Sequence, residues 1–314
     1  MGSKILWNTI NKSLVDSDFL TFQARLGGVF IKLLSVVIPA LNSASTISHT
    51  LSSIFSNEFS RELFEVLVID NGSSDNTIEV AMRYPAKIHH CSKKGIGPPR
   101  NLGIRMAKGD IVCLTDSDCE VSKNWLKKIE DFFEQNPEAD GVGGPVFPYP
   151  RNQNKVQKLT GQLFVEEQGY PMRTKKIQFG SLSGLIFGSN CAYKREALLS
   201  AGSFSEPGGS NLELSWRLAS KGRSLFFDPS IKVYHIFPWS LKSIFKQQFR
   251  WGAQLSHMKR TYHSDQGAKE IIYMFYFPIR RLLSLTVANN LEKELLHFAQ
   301  VTSFNLGRIY GFHS

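Results

Sequence analysis

Residues 64–77 read FEVLVIDNGSSDNT. Seven strand-forming residues end on Asp70, a turn of Asn71, Gly72, Ser73 and Ser74 follows, and Asp75 can cap the next helix. A short run that is apolar without alternation predicts a strand covered on both faces, as in a parallel sheet packed between helices. The same grammar recurs on either side. Residues 34–39 (LSVVIP) predict a strand, 45–55 a helix, 75–83 a helix, 87–91 a short strand and 110–115 (DIVCLT) a further strand. Between the last two strands, Pro98 and Pro99 open a helix where missing N–H groups cost little. Repeated strand–helix units imply an α/β fold whose ligands bind beyond the carboxyl ends of the strands. After Asp140 the pattern shifts to Gly/Pro-rich extended pieces, a polar helix over 154–168, a strand over 183–192, a helix over 212–221, extended chain over 224–235 and a helical tail from Trp239.

The chain has 314 residues, of which 42% are hydrophobic and 20% charged, enough for a sizeable core and too much for disorder or a small disulfide scaffold. Cys91, Cys113, Cys119 and Cys191 form no CxxC pair and read as reduced thiols of an intracellular protein. Net charge is +10, and from Lys221 onward thirteen basic residues face five acidic ones. That excess favours an anionic partner on the C-terminal side. No apolar run approaches the roughly 18 residues that span a bilayer, and no secretory leader is evident.

Chemistry-bearing residues gather at the predicted strand ends. Thr115-Asp116-Ser117-Asp118 follows the apolar strand directly, and two carboxylates one residue apart can converge on a hard divalent cation, such as one that neutralises a nucleotide diphosphate. An acidic turn or helix cap is the plain alternative for such a DxD motif. Asp70 ends an apolar strand, where a carboxylate is costly to bury without a partner, and it can accept hydrogen bonds from a base or ribose. Residues 94–101 (KGIGPPRN) join a glycine turn to cations able to approach phosphates.

In this order the residues resemble the family 2 inverting glycosyltransferases of GT-A fold. The strings that carry the resemblance are SVVIPALN at 35–42, VLVIDNGSSDNT at 66–77, KGIGPPRNLGIRMAKGD at 94–110, IVCLTDSD at 111–118, GSNCAYKREALLSAGSF at 188–204, ELSWRLASKGRSLFFDPSIKVYHIFP at 213–238 and QQFRW at 247–251. The resemblance implies a Rossmann-like, mixed and mainly parallel sheet flanked by helices over 34–237. An N-terminal helical extension over 1–33 and a basic, aromatic helical appendage over 238–314 would flank it. It also implies a nucleotide-diphosphate sugar as donor, Mg²⁺ or Mn²⁺ as cofactor, and direct displacement with inversion at the anomeric carbon. Carried over by position, Pro39, Ala40 and Asn42 would line the nucleotide site, Asp70 would hold the base, and Lys94 and Arg100 would contact the nucleotide. Asp116 would contact the ribose and help bind the metal, Asp118 would be the direct metal ligand, and His235 would complete the metal site.

The chain departs from the family at the general base. Where relatives carry an acidic pair, this sequence reads Ser210-Asn211-Leu212-Glu213, which puts Asn211 at the usual catalytic aspartate. A neutral amide cannot accept a proton at ordinary pH. Glu213 or Glu206 could be recruited instead, the acceptor could be an already ionised phosphate, or catalysis could be lost. An i,i+4 ion pair with Arg217 is the plain structural role for Glu213. Gln247–Trp251 fits the QxxRW pattern, with Arg250 steadying the leaving diphosphate and Trp251 stacking on an acceptor sugar.

Residues 271–283 (IIYMFYFPIRRLL) and 297–313 mix aromatic and basic residues, suited to an anionic membrane surface or to packing on the sheet domain. The expected protein is therefore a glycosyltransferase of polysaccharide or glycoconjugate assembly, cytoplasmic or peripheral on the inner face of the membrane, with a glycan or lipid-linked acceptor. No nucleic-acid partner is expected. The rival readings are a catalytically impaired nucleotide-sugar-binding or scaffold protein, and a nucleotidyltransferase. The latter's usual glycine-rich basic loop is missing from ALNSAST at 40–46.

Overall fold

The computed structural model describes residues 25–26, 29–30, 33–151, 153–177, 188–206, 211–237, 240–261 and 291–313. The expected helical extension over 1–33 is not what the described part of that stretch adopts. Strands β1 (Arg25–Leu26) and β2 (Val29–Phe30) pair antiparallel, flanking a Gly27-Gly28 sequence of the kind that favours two-residue hairpins. The rest of that extension lies outside the described residues, as does the stretch 271–283.

The core of the fold starts at β3 (Leu34–Ala40), helix α1 (Ile47–Phe55), β4 (Phe64–Asp70), α2 (Thr77–Ala81), β5 (Lys87–His90), α3 (Gly97–Met106) and β6 (Ile111–Leu114). It continues with β7 (Cys119–Val121), α4 (Trp125–Gln135), β8 (Gly141–Gly143), β9 (Val146–Pro148) and α5 (Lys155–Gln168). The remaining elements are β10 (Lys175–Lys176), β11 (Cys191–Lys194), α6 (Arg195–Ala201), α7 (Asn211–Ser220), β12 (Leu225–Phe227), β13 (Val233–His235), α8 (Leu241–Thr261) and α9 (Leu291–His313).

Eight strands form one sheet in the order β10-β12-β8-β11-β6-β3-β4-β5. The run β6-β3-β4-β5 is parallel, β11 enters antiparallel between β6 and β8, and β12 pairs parallel with β8. The sheet is therefore mixed and mainly parallel, as expected. Side-chain alternation explains why its central strands are apolar throughout. Leu34, Val36 and Ile38 pack on one face with Ile47, Leu51 and Ile54 of α1 and Trp125, Ile129 and Phe133 of α4. Val37, Leu67 and Ile69 pack on the other face with Ile104, Leu198, Leu214 and Leu218 of α3, α6 and α7.

A second, three-stranded sheet, β7-β13-β9, stands beside the carboxyl ends of the first. Helix α5 is seated on β9, with Gly161 so close to Pro148 that a Cβ would stand 2.5 Å from its ring. An Asn154–Gln157 capping box starts α5, and Gly169 at φ +53° ends it. Among the described residues no helix is long and apolar enough to cross a membrane.

At the opposite end of the main sheet, Glu65 is buried and collects the Ser35 hydroxyl at 2.7 Å, the Lys108 N–H at 2.7 Å and Lys87 Nζ at 2.7 Å. Burial pushes its carboxyl up, but Lys87, the Lys108 amide and Ser35 together hold it below its ordinary value. A depressed carboxylate contributes stability above its unfolded-state pKa and loses it as pH falls through the folded value. Glu65→Gln is therefore expected to cost about 1–3 kcal/mol at pH 7 in urea unfolding. The gap to wild type should close below about pH 4, once the wild-type carboxyl protonates as well. An equal gap at pH 7 and pH 3 would sink this account.

Candidate active site

The strand ends converge as the parallel topology demands. One cavity of about 930 Å³ opens over the carboxyl edge of β3 and β6. Pro39, Ala40, Arg100, Asp116, Ser117, Asp118, Asn211, His235, Arg250 and Trp251 all line it.

Asp118 Oδ1 lies 3.3 Å from His235 Nε2. His235 is delivered by β13, which pairs antiparallel with β7 so that His235 sits opposite Cys119. Partial burial pushes the Asp118 carboxyl up, and His235 beside it more than reverses that. Burial likewise works against the His235 cation, and the Asp118 carboxylate outweighs it and raises the imidazole.

Cys119 Sγ belongs to the same cluster, and when no metal ion is bound burial drives its thiol far up. An oxygen-and-imidazole pair at this spacing suits a hard divalent ion, because cis ligands at bonds of about 2.1 Å stand about 3 Å apart. A carboxylate oxygen beside an imidazole is a donor set that a divalent ion such as Mn²⁺ accepts. Asp118 and His235 are the residues that would hold it.

Asp116 is held by a cation. Arg100 Nη2 donates to its Oδ1 at 2.9 Å, and the guanidinium lies over the Phe204 ring at 5.4 Å. Arg100 is buried, and it is positioned by α3, whose first turn Pro98 and Pro99 initiate. Between the two aspartates, the Ser117 and Ser43 hydroxyls share a 2.7 Å hydrogen bond that ties this turn to the one after β3.

Asn211 begins α7. In the amide orientation that satisfies its neighbours, its Oδ1 accepts from the Gly188 N–H at 3.0 Å and from Arg100 Nη1 at 3.3 Å. The amide thus completes the Arg100 cluster as a hydrogen-bond acceptor.

Four residues singled out from the sequence do not line the cavity. Asp70 is buried and accepts the Gly72 and Ser73 N–H groups at 3.0 and 3.2 Å, with His90 Nδ1 at 3.4 Å. Burial raises its carboxyl, and the Ser73 hydroxyl with the Gly72 and Ser73 amides more than compensates. Asn42, at φ +51°, accepts from Ser74 N–H at 2.8 Å, which clasps the two turns together. Lys94 is exposed on the loop before α3, whose Gly95 and Ile96 reach the cavity instead.

Glu213 is locked to Arg217, with Nε–Oε1 at 2.8 Å and Nη2–Oε2 at 3.1 Å. Glu206, the other carboxylate considered as a base, is bound by Lys93 at 2.8 Å and Asn101 at 3.1 Å and is also absent from the lining. The sequence pattern did not disclose the far wall. Glu167 and Gln168 come from α5, and Gln300 and Phe304 come from α9. Nothing in their local sequence marks them, since they reach the aspartates only through the packing of α5, α8 and α9.

The sequence model described as Glycosyl transferase family 2 matches residues 35–200. Poly-β-1,6-N-acetyl-D-glucosamine synthase of Staphylococcus epidermidis is 25% identical over 281 residues, which cover 86% of this chain and 61% of the synthase. Mannosyltransferase PcManGT of Pyrobaculum calidifontis, solved with GDP-Man and Mn²⁺, superposes with a TM-score of 0.63 at 18% identity, covering 99% of this chain and 93% of that one. Residues 1–349 of S. aureus TarS, solved with UDP-GlcNAc, superpose with a TM-score of 0.54 at 14% identity, covering 88% and 90%. At these identities the solved structures speak to the fold.

Proposed function

The chain belongs to glycosyl transferase family 2, and on that premise we propose that it transfers a sugar from a nucleotide-diphosphate donor to a glycan or lipid-linked acceptor, with inversion, in polysaccharide or glycoconjugate assembly. The observation that carries this reading is the single cavity in which Asp116, Asp118 and His235 share walls with Arg250 and Trp251. Acidic, metal-competent groups on one side and a cation with an indole on the other suit a diphosphate flanked by a sugar.

In this reading Pro39 and Ala40 form the floor under the nucleotide. The Arg100–Asp116 pair presents a fixed carboxylate to the ribose. Asp118 and His235 hold the divalent ion, which when bound neutralises diphosphate charge. Arg250 offers a second positive group to the leaving diphosphate, and Trp251, 40% exposed, offers its face to an acceptor ring. Direct displacement inverts the anomeric centre because the acceptor oxygen approaches opposite the departing phosphate. The synthase relative supports a polysaccharide role, and the neighbours solved with GDP-Man and Mn²⁺ and with UDP-GlcNAc support the donor class.

The test is a thermal-shift screen of UDP- and GDP-sugars with and without Mn²⁺. A donor at 100 times its Kd should stabilise by about 2.7 kcal/mol, or about 5 °C in a chain of this size, and only with the metal present. A shift that ignores the metal, or none for any nucleotide sugar, would remove this reading. Because Asn211 stands at the usual base position, binding without turnover would instead favour a nucleotide-sugar-binding scaffold.

A further inference from the structure

An inverting displacement releases the acceptor's proton as the new bond forms, and a basic group in the cavity must take it. Among the described residues three carboxylates line the cavity: Asp116, Asp118 and Glu167. Asp116 is engaged by Arg100, and Asp118 is taken in this reading by the divalent ion it would hold with His235. Asn211 is an amide, and Glu213 and Glu206 are tied down elsewhere. Glu167 remains.

Glu167 lies on the last turn of α5, and its Oε1 is 2.6 Å from His297 Nε2 on α9. The His297 side chain is only 7% exposed, so it fixes the carboxylate from the protein side, whereas Glu167 itself is 46% exposed. The neighbouring Glu166 is paired with Lys293 at 2.6 Å. A base oriented by a buried imidazole is the supporting geometry that acid–base catalysis requires. One turn beyond His297, Gln300 lines the same wall and is 5% exposed. Its amide can both donate to and accept from a hydroxyl-bearing acceptor in the cavity.

The wall is rigidly indexed to the aspartates. Glu167 is one turn from Phe164, Phe164 packs on Phe237 with ring centroids 5.1 Å apart, and Phe237 meets His235 edge-on at 4.9 Å. Gln157 of the same helix donates to the Phe237 carbonyl at 3.0 Å, and β9 under α5 pairs in register with β13, His235 opposite Pro148.

We propose that Glu167, held by the positioning residue His297, is the general base of this chain, and that Gln300 hydrogen-bonds the acceptor hydroxyl it deprotonates. The inference rests on the glycosyl-transfer reading above. The acceptor O–H gives its proton to the Glu167 carboxylate while the oxygen pair forms the bond to the anomeric carbon. The carbon–phosphate oxygen bond breaks, and its pair leaves on the nucleoside diphosphate.

The test follows released nucleoside diphosphate from UDP-N-acetylglucosamine or GDP-mannose with Mn²⁺, with water or an N-acetylglucosamine oligosaccharide as acceptor. Glu167→Gln should lower kcat about 100- to 10,000-fold, with donor KM and the donor-induced thermal shift unchanged. Formate should restore part of the rate of Glu167→Ala. His297→Gln should lower kcat alone, yet add nothing in the Glu167→Gln background. Wild-type kcat in Glu167→Gln, or a loss of donor binding with no formate rescue, overturns the base assignment while leaving glycosyl transfer intact. A wild-type chain that turns over neither donor overturns the functional reading and this one with it.

Discussion

Asp118→Asn is expected to leave a folded protein whose sugar transfer has fallen about 1,000-fold or more and whose donor-induced thermal shift no longer depends on Mn²⁺. The amide keeps the size of the carboxylate and removes its charge. The side chain is 39% exposed and borders a cavity, so little packing is lost and the melting temperature without ligand should stay near wild type. What disappears is the anionic half of the Asp118–His235 pair, which with Cys119 forms the one group of three His, Cys, Asp or Glu side chains among the described residues whose candidate ligand atoms all lie within 4.8 Å of one another. A group worth several kcal/mol of charge stabilisation corresponds to three or more powers of ten in rate. Nucleoside diphosphate release at saturating donor measures the first effect, and paired melts with Mn²⁺ and with chelator measure the second. Retained, Mn²⁺-dependent transfer in Asp118→Asn would remove Asp118 from the metal site.

The second large effect lies away from the chemistry, at Gly252. A Cβ at this position in α8 would stand 1.9 Å from the Phe304 carbonyl oxygen and 2.9 Å from the Arg308 nitrogen. Gly307 of α9 mirrors it, 1.9 Å from the Phe249 carbonyl oxygen. These are backbone atoms, which cannot swing aside as a side-chain tip can. The Ser256 hydroxyl to Arg308 carbonyl bond at 2.9 Å and the Ser303 hydroxyl to Phe245 carbonyl bond at 2.8 Å lock the same seam. Glycine costs about 1 kcal/mol in a helix interior, so its presence here is explained by the close crossing.

Gly252→Val must separate α8 from α9 and is expected to cost about 3 kcal/mol in urea unfolding. Because Arg250, Trp251, Gln300 and Phe304 form one wall of the cavity, transfer should fall in the same variant even below its melting temperature. Unchanged stability would mean that the two helices do not cross at this point.

How far the site can be read from sequence depends on how each group reaches it. Asp116 and Asp118 are legible because they follow an apolar strand with no intervening turn, and a parallel sheet puts every such strand end on one edge. Asn211 is legible as a departure because its neighbours Glu213, Trp216 and Arg217 hold the alignment in place. The same local reading does not say how Asp70, Asn42 and Lys94 stand to the cavity. Each lies at a strand or turn end, but sequence proximity does not say whether a carboxylate faces a ligand or closes its own turn. For Asp70 the Gly72 and Ser73 amides take the role expected of a base. For Glu213 the nearest cation on its own helix face claims it first.

The sequence by itself determined the doubly covered sheet and the acidic edge, because these follow from periodicities and turns within a few residues, and it pointed to the family through the resemblance of its motif strings. Only the tertiary structure decided what faces that edge. His235 meets Asp118 through the pairing of β13 with β7, and Glu167, backed by His297, and Gln300 join the cavity from helices more than a hundred residues apart in the chain. Such groups have no local signature: a glutamate near a helix end reads the same in solvent or in a cavity, and only the packing of α5, α8 and α9 distinguishes the two.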